Sequence, residues 1–221
     1  MRRIAAVVIA AALCAQPSAA LGAGWLRSFG ITVGAGAARS LNGGWTAAQG
    51  MGQATTIGPD FEVALERWLG GHYRCEAAAV LGWMDFKAGA FPVQARGPSF
   101  TTSALLFGNC YHFTSERLRP FIAAGTGIYF WKINTDRPLG GVLRIQGSEF
   151  QKMSWGINAG GGLDWAASPL VSFILEARYH YILSEDRFLF GDSFTEQGVL
   201  TVGIGVSYAF CPRFEERKAG R

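Results

Sequence analysis

The segment 198–210, Gly-Val-Leu-Thr-Val-Gly-Ile-Gly-Val-Ser-Tyr-Ala-Phe, alternates without a break. Leu200, Val202, Ile204, Val206, Tyr208 and Phe210 fall on one face, and Thr201, Gly203, Gly205, Ser207 and Ala209 on the other. A period of two belongs to a β-strand and not to a helix. The second face is the constraint. A soluble sandwich turns large polar side chains to water, whereas these residues are small, as a tight enclosed interior requires. The pattern recurs. In 153–165, Trp155, Ile157, Ala159, Gly161, Leu163 and Trp165 alternate with Ser154, Gly156, Asn158, Gly160, Gly162 and Asp164. The two tryptophans stand ten residues apart. At roughly 3.3 Å per residue and a tilt near 45° they span about 23 Å, close to the roughly 25 Å apolar band of an outer-membrane barrel.

Segments 27–37, 120–132 and 169–183 alternate in the same way, and 60–69, 74–86 and 101–112 do so less cleanly. These make eight predicted strands. The connections alternate too. Short ones fall at 70–73, 113–117 and 166–168, and long ones at roughly 38–59, 87–100, 134–150 and 184–197. Short turns at one end, long loops at the other and an even strand count predict an all-β fold. That fold is an eight-stranded antiparallel up-and-down transmembrane β-barrel, with both mature termini periplasmic and the long loops at the cell surface. Closure follows, because lipid does not tolerate an open sheet edge. Composition excludes the alternatives. Glycine is 30 of 221 residues, yet it has no three-residue period and prolines number only 8, which excludes collagen. Past the N-terminus no stretch is long and apolar enough for a membrane helix.

Residues 1–20 read as a secretory signal: Arg2 and Arg3, the apolar run 4–13, Pro17, then Ser18-Ala19-Ala20 before the cut. The barrel domain is then 21–211, and 212–221 a short polar periplasmic tail. The two leader arginines take the formal charge from +4 to +2 once removed, and no basic stripe with interleaved aromatics remains to engage nucleic acid. Export leaves Cys75, Cys110 and Cys211, an odd number in an oxidising compartment.

Three runs carry a family resemblance: 118–127 (Leu-Arg-Pro-Phe-Ile-Ala-Ala-Gly-Thr-Gly), 155–164 (Trp-Gly-Ile-Asn-Ala-Gly-Gly-Gly-Leu-Asp) and 176–181 (Glu-Ala-Arg-Tyr-His-Tyr). Through them the chain resembles the small outer-membrane β-barrel domain superfamily, which includes OmpA-, OmpX- and OmpW-like barrels. The resemblance covers 25–210 and specifies fold better than activity. It implies insertion by the barrel-assembly machinery. One departure stands out: such chains often end on the aromatic of the last strand, whereas here Phe210 is followed by the tail.

Strand parity turns Glu62, Glu66, Glu76, Asp164, Glu176, Arg178 and His180 inward. A basic residue facing lipid near the midplane would cost about 2–4 kcal/mol, so the inward assignment is also the cheaper one. Arg178 is the expected centre of a carboxylate network with Glu176 and acids from other strands. The aromatic girdle is expected from Trp155, Trp165, Tyr179, Tyr208 and Phe210. His72, Cys75, Cys110 and His112 make up a zinc-type ligand set, but the C-x-H spacing is wrong for zinc, and no metal or cofactor is expected. A Cys75–Cys110 disulfide is the stronger alternative, although parity puts Cys75 outward and Cys110 inward; free, buried thiols are the default. Gly34-Ala35-Gly36 mimics half of a dinucleotide fingerprint, but no helix follows. His180, Ser184 and Glu185 are the nearest thing to a hydrolase set, yet two pleats separate His180 from Ser184, and catalysis is not expected. Trp45, Phe188 and Phe190 sit in long loops and are candidates for surface binding. The expected function is therefore a monomeric outer-membrane barrel with a structural or surface-interaction role, contacting outer-membrane lipid and lipopolysaccharide and a surface ligand through its loops. An OmpW-like conduit for small hydrophobic molecules is the alternative, and a lipid-modifying enzyme the third reading.

Overall fold

A computed structural model describes residues 29–46, 49–69, 71–90, 98–135, 140–145, 148–184 and 196–210. The leader 1–20, Cys211, the tail 212–221 and the loop residues Phe188 and Phe190 lie outside the described residues. So does the side chain of Trp45, whose backbone is part of a short strand, Gly44–Thr46. The eight barrel strands are β1 (Phe29–Asn42), β2 (Gly58–Trp68), β3 (Tyr73–Asp85), β4 (Ser99–His112), β5 (Leu118–Asn134), β6 (Gln151–Ala166), β7 (Val171–Leu183) and β8 (Gln197–Ala209). Each pairs antiparallel with the next, and β1 closes the ring on β8. The predicted up-and-down barrel is what forms.

Register fixes the faces. Ile31 pairs with Tyr208 and Val33 with Val206, all outward, and the wall continues through Leu65, Leu105, Ile122, Ile157, Leu175 and Ile204. Ile204 is 69% exposed. A contiguous apolar wall of this kind marks a lipid-facing surface rather than one made for water.

Several strands outrun the segments that hydrophobic alternation marks. β1 continues to Asn42 rather than ending near 37, with a bulge between Ser40 and Asn42 opposite β8. β5 and β6 run to 17 and 16 residues. Apolar periodicity reports only the part of a strand inside the belt, whereas ladder hydrogen bonds continue through polar residues at the rim. Two long connections also carry structure that alternation does not reveal. The first holds a small hairpin, Gly44–Thr46 with Gln49–Gly50, then one helical turn, Met51–Ala54. The third holds Arg144–Ile145 paired with Ser148–Glu149. Gly43 turns the chain from β1 into the first hairpin at φ +116°, a conformation glycine adopts without strain. At the other end the turns are tight: Leu69 N donates to Tyr73 O at 2.9 Å, and Val171 N to Ser168 Oγ at 3.0 Å.

Candidate functional site

An eight-stranded barrel has an interior just wide enough for side chains to fill. Here the lumen is filled in two different ways, and both follow from the inward-facing residues of each strand.

The half nearer the short turns is ionic. Glu66 and Glu76 are directly cross-strand neighbours on β2 and β3. Like charges so placed repel. Arg74, on the same face of β3, relieves this by reaching both: Nη1 lies 2.9 Å from Glu66 Oε1, and Nη2 lies 3.3 Å from Glu76 Oε2. Thr32 and Ser207 add hydroxyl donors to the two oxygens of Glu66, at 2.5 and 2.9 Å. Arg178 then crosses the lumen from β7. It holds Glu76 at 2.6 Å and its strand neighbour Glu176 at 2.5 Å. A single chain of alternating charge, Glu66–Arg74–Glu76–Arg178–Glu176, thus ties three strands together.

Arg178 is the expected centre of this network, and Glu66, Glu76 and Glu176 belong to it. Asp164 and His180 do not. Asp164 sits closer to the short-turn end, where its Oδ2 takes Arg119 at 2.8 Å and lies 3.5 Å from His112 Nε2. Arg119 also covers the Trp68 ring at 4.9 Å, and Trp68 packs on His112 with centroids 4.7 Å apart. This group floors the lumen. His180 stands on the other side of Arg178. Its Nδ1 faces the Tyr129 hydroxyl at 3.0 Å and its Nε2 faces Thr201 Oγ1 at 3.3 Å. Both side chains are buried; the separation comes from height along the axis, which parity does not encode. Arg74, Arg119 and Tyr129 are the partners that sequence reasoning missed. The signal was there: Arg74 shares the face of Glu76 two residues on, and Arg119 alternates with outward Ile122.

A cavity of about 50 Å³ adjoins the network, lined among others by Asp60, Glu62 and Glu176. A smaller void of about 20 Å³ lies beside Tyr129 and His180. At roughly 10–15 Å³ of such space per water, the two admit a few water molecules. They adjoin an interior in which, among the described residues, six acids (Asp60, Glu62, Glu66, Glu76, Asp164, Glu176) face three guanidiniums (Arg74, Arg119, Arg178). The close approach of side chains to backbone depends on glycine. A Cβ at Gly156 would stand 2.6 Å from the Tyr129 ring, and one at Gly160 would stand 2.8 Å from Arg178 Cα.

The half nearer the long loops is apolar. Met84, Phe100, Leu106, Trp131, Ile133 and Ile182 are fully buried there. Phe100 and Trp131 have ring centroids 6.2 Å apart. The loops complete the plug. Met51 from the helical turn and Leu143 from the third connection pack into the same cluster. They are fastened by backbone hydrogen bonds: Met51 N to Gly43 O at 2.9 Å, Lys87 N to Ala54 O at 2.8 Å and Leu143 N to Ile133 O at 2.8 Å. Sequence reasoning treated these stretches as strand ends and open loops.

Cys75 and Cys110 correct the disulfide alternative. Both are buried and neither is in a disulfide. Register pairs Cys75 with Asn109 and Arg74 with Cys110, so the two thiols occupy opposite faces of the wall. Cys75 Sγ donates to Asn109 Oδ1 at 3.1 Å, and Cys110 Sγ lies 3.2 Å from Arg74 Nη2 inside. The same opposition keeps Cys75 and Cys110 from a common metal. His72 instead places Nδ1 2.8 Å from the His112 carbonyl oxygen.

All five expected girdle residues point outward. Trp165, Tyr208 and Phe210 gather at the short-turn end, joined by Tyr73, Tyr111 and Phe113, which sequence reasoning left out. Trp155 lies toward the other end, where Phe61 and Trp83 stack at 5.8 Å. Tyr179 starts mid-wall, and its hydroxyl donates to Asn42 Oδ1 at 2.7 Å, at the rim.

These features define the fold class: a closed, eight-stranded β-barrel of the small outer-membrane type. A solved structure shares this fold. The chain resembles Neisserial surface protein A at a TM-score of 0.56 and 15% identity, over 82% of this chain and 97% of that one. Ail, the attachment invasion locus protein of Yersinia pestis, was solved with the heparin analogue sucrose octasulfate. It aligns at a TM-score of 0.47 and 14% identity, over 82% of this chain and 99% of Ail. OprG from Pseudomonas aeruginosa aligns at 0.47 and 11%, over 82% and 97%. No protein-family model and no curated protein matches the sequence.

Proposed function

We propose that this protein is an integral barrel of the bacterial outer membrane that works through its surface rather than its lumen. Both termini are periplasmic, the long loops are outside, and the role is structural or one of surface interaction such as adhesion. One observation carries this reading: among the described residues the lumen is stopped twice, by the ionic network and floor and by the apolar plug. The exposed apolar wall supports the membrane location, and the unequal connections support the orientation. A catalytic role is not part of the proposal. Both ring nitrogens of His180, the histidine nearest a hydrolase set, are occupied by Tyr129 and Thr201 inside the wall.

The test has two arms. Unboiled protein from purified outer membranes should run differently from boiled protein on a denaturing gel, because a closed barrel resists detergent until heated. Reconstituted in a planar bilayer, it should show no discrete conductance steps. Ohmic channels in the unaltered protein would overturn the surface reading in favour of a conduit. A periplasmic or inner-membrane location would overturn the membrane assignment itself.

A further inference from the structure

A hollow of about 370 Å³ lies on the barrel wall at the long-loop end, across β4, β5 and β6. Register arranges its lining into two cross-strand rows. The upper row is Thr101, Lys132 and Gln151, and the lower is Ser103, Phe130 and Met153. Ser103 is small beside Phe130, and this leaves the depression. The lower row continues the apolar wall, with Phe130 45% and Met153 61% exposed. The upper row is polar and carries one cation, Lys132.

Charge is the distinguishing feature. Among the described residues no carboxylate lines the hollow. The nearest acid in sequence, Glu149, is held by Arg144 at 2.5 Å and by Gln151 Nε2 at 2.6 Å. Among the described residues Lys132 has no carboxylate partner. On the same rim β3 ends outward on Asp85, so a cationic hollow is a local property and not a general feature of the edge.

We infer that this hollow binds the phosphate-bearing end of an acylated lipid, the phosphate on Lys132 and an acyl chain descending over Phe130 and Met153. The two rows sit where such a molecule changes from head to tail, and adjacent same-face residues about 7 Å apart along the strand match that change. The lipid is the lipid A portion of lipopolysaccharide, a choice that rests on the outer-membrane orientation proposed above, which puts this rim in the outer leaflet.

The experiment is native mass spectrometry of the purified full-length protein in a neutral detergent, titrated with lipid A and, separately, with phosphatidylglycerol. Lys132→Gln removes the charge of a half-buried side chain on the outer face of the wall and leaves the lumen packing alone. Arg39→Gln, an exposed cation on β1, is the control. One lipid A should be retained by the wild-type protein and by the control. Lys132→Gln should weaken retention about tenfold, in keeping with the loss of one charge-assisted contact. Equal retention by Lys132→Gln overturns the site. Phosphatidylglycerol bound as tightly as lipid A overturns the choice of lipid. Each sample is also run boiled and unboiled, so a failed lipid titration on a heat-shifting barrel rejects the hollow while the barrel reading stands.

Discussion

The two halves of the lumen of one barrel are filled by opposite means. Toward the short turns, rigidity comes from ions: Arg74 and Arg178 each grip one carboxylate on their own strand and one on another. Toward the long loops it comes from shape, with Phe100, Trp131 and Ile133 packed beneath Met51 and Leu143. The apolar half lies at the long-loop end, where Met51 and Leu143 fold over and bury it. Ion pairs depend on orientation and tolerate no missing partner, whereas an apolar cluster tolerates exchange of shape for similar shape. The difference therefore predicts how each half fails.

The largest effect should follow Arg178→Ala. The change leaves Glu76 and Glu176 without their shared guanidinium in a buried site. Removing one partner of a buried ion pair costs about 3–5 kcal/mol. The urea midpoint of the protein folded in lipid vesicles should drop accordingly; an unchanged midpoint would mean that water in the adjoining cavity does the work of the arginine. Next comes Ile133→Ala in the plug. A buried isoleucine cut to alanine costs about 2–5 kcal/mol, and the lower part of that range is expected because the rim can relax around the void. Bilayer conductance should stay absent in this variant, since the ionic network below it seals the lumen separately. If channels open, the two stops are not independent.

The fold was legible because parity is a local property. Leu200, Val202 and Ile204 against Gly203 and Gly205 already define a wall with lipid on one side and a narrow interior on the other. The inward position of Glu66, Glu76, Asp164, Glu176, Arg178 and His180 follows from the same count. Height along the barrel axis was not legible, since it depends on register between strands. For that reason parity lists Asp164 beside Arg178 although it pairs with Arg119, and it does not show that Arg74 joins Glu66 to Glu76. The plug was hidden for a different reason. Trp131 and Ile133 are apolar and lie at a strand end, where they look like girdle residues, and only closure by distant segments such as Met51 and Leu143 shows that they face inward.

Intermediate losses sharpen the contrast between the halves. Gly156→Ala places a methyl against the Tyr129 ring, which holds His180 at the boundary between the two regions. Overpacking of this kind costs about 1–3 kcal/mol, and near-ultraviolet circular dichroism should report the displaced tyrosine.

The smallest effect, and the cleanest comparison, comes from one conservative exchange in each half. Met84→Leu in the plug keeps volume and chemistry and should cost less than about 1.5 kcal/mol. Arg178→Lys keeps the charge but not the fork that meets Glu76 with Nη2 and Glu176 with Nε. A lysine at that position reaches one carboxylate as a point charge and leaves the other to the cavity water. The urea midpoint should therefore fall further for Arg178→Lys than for Met84→Leu, although by side-chain type both changes are mild. Equal midpoints would show that the ionic half needs only charge balance, and that the two halves are held by less different principles than their residues imply.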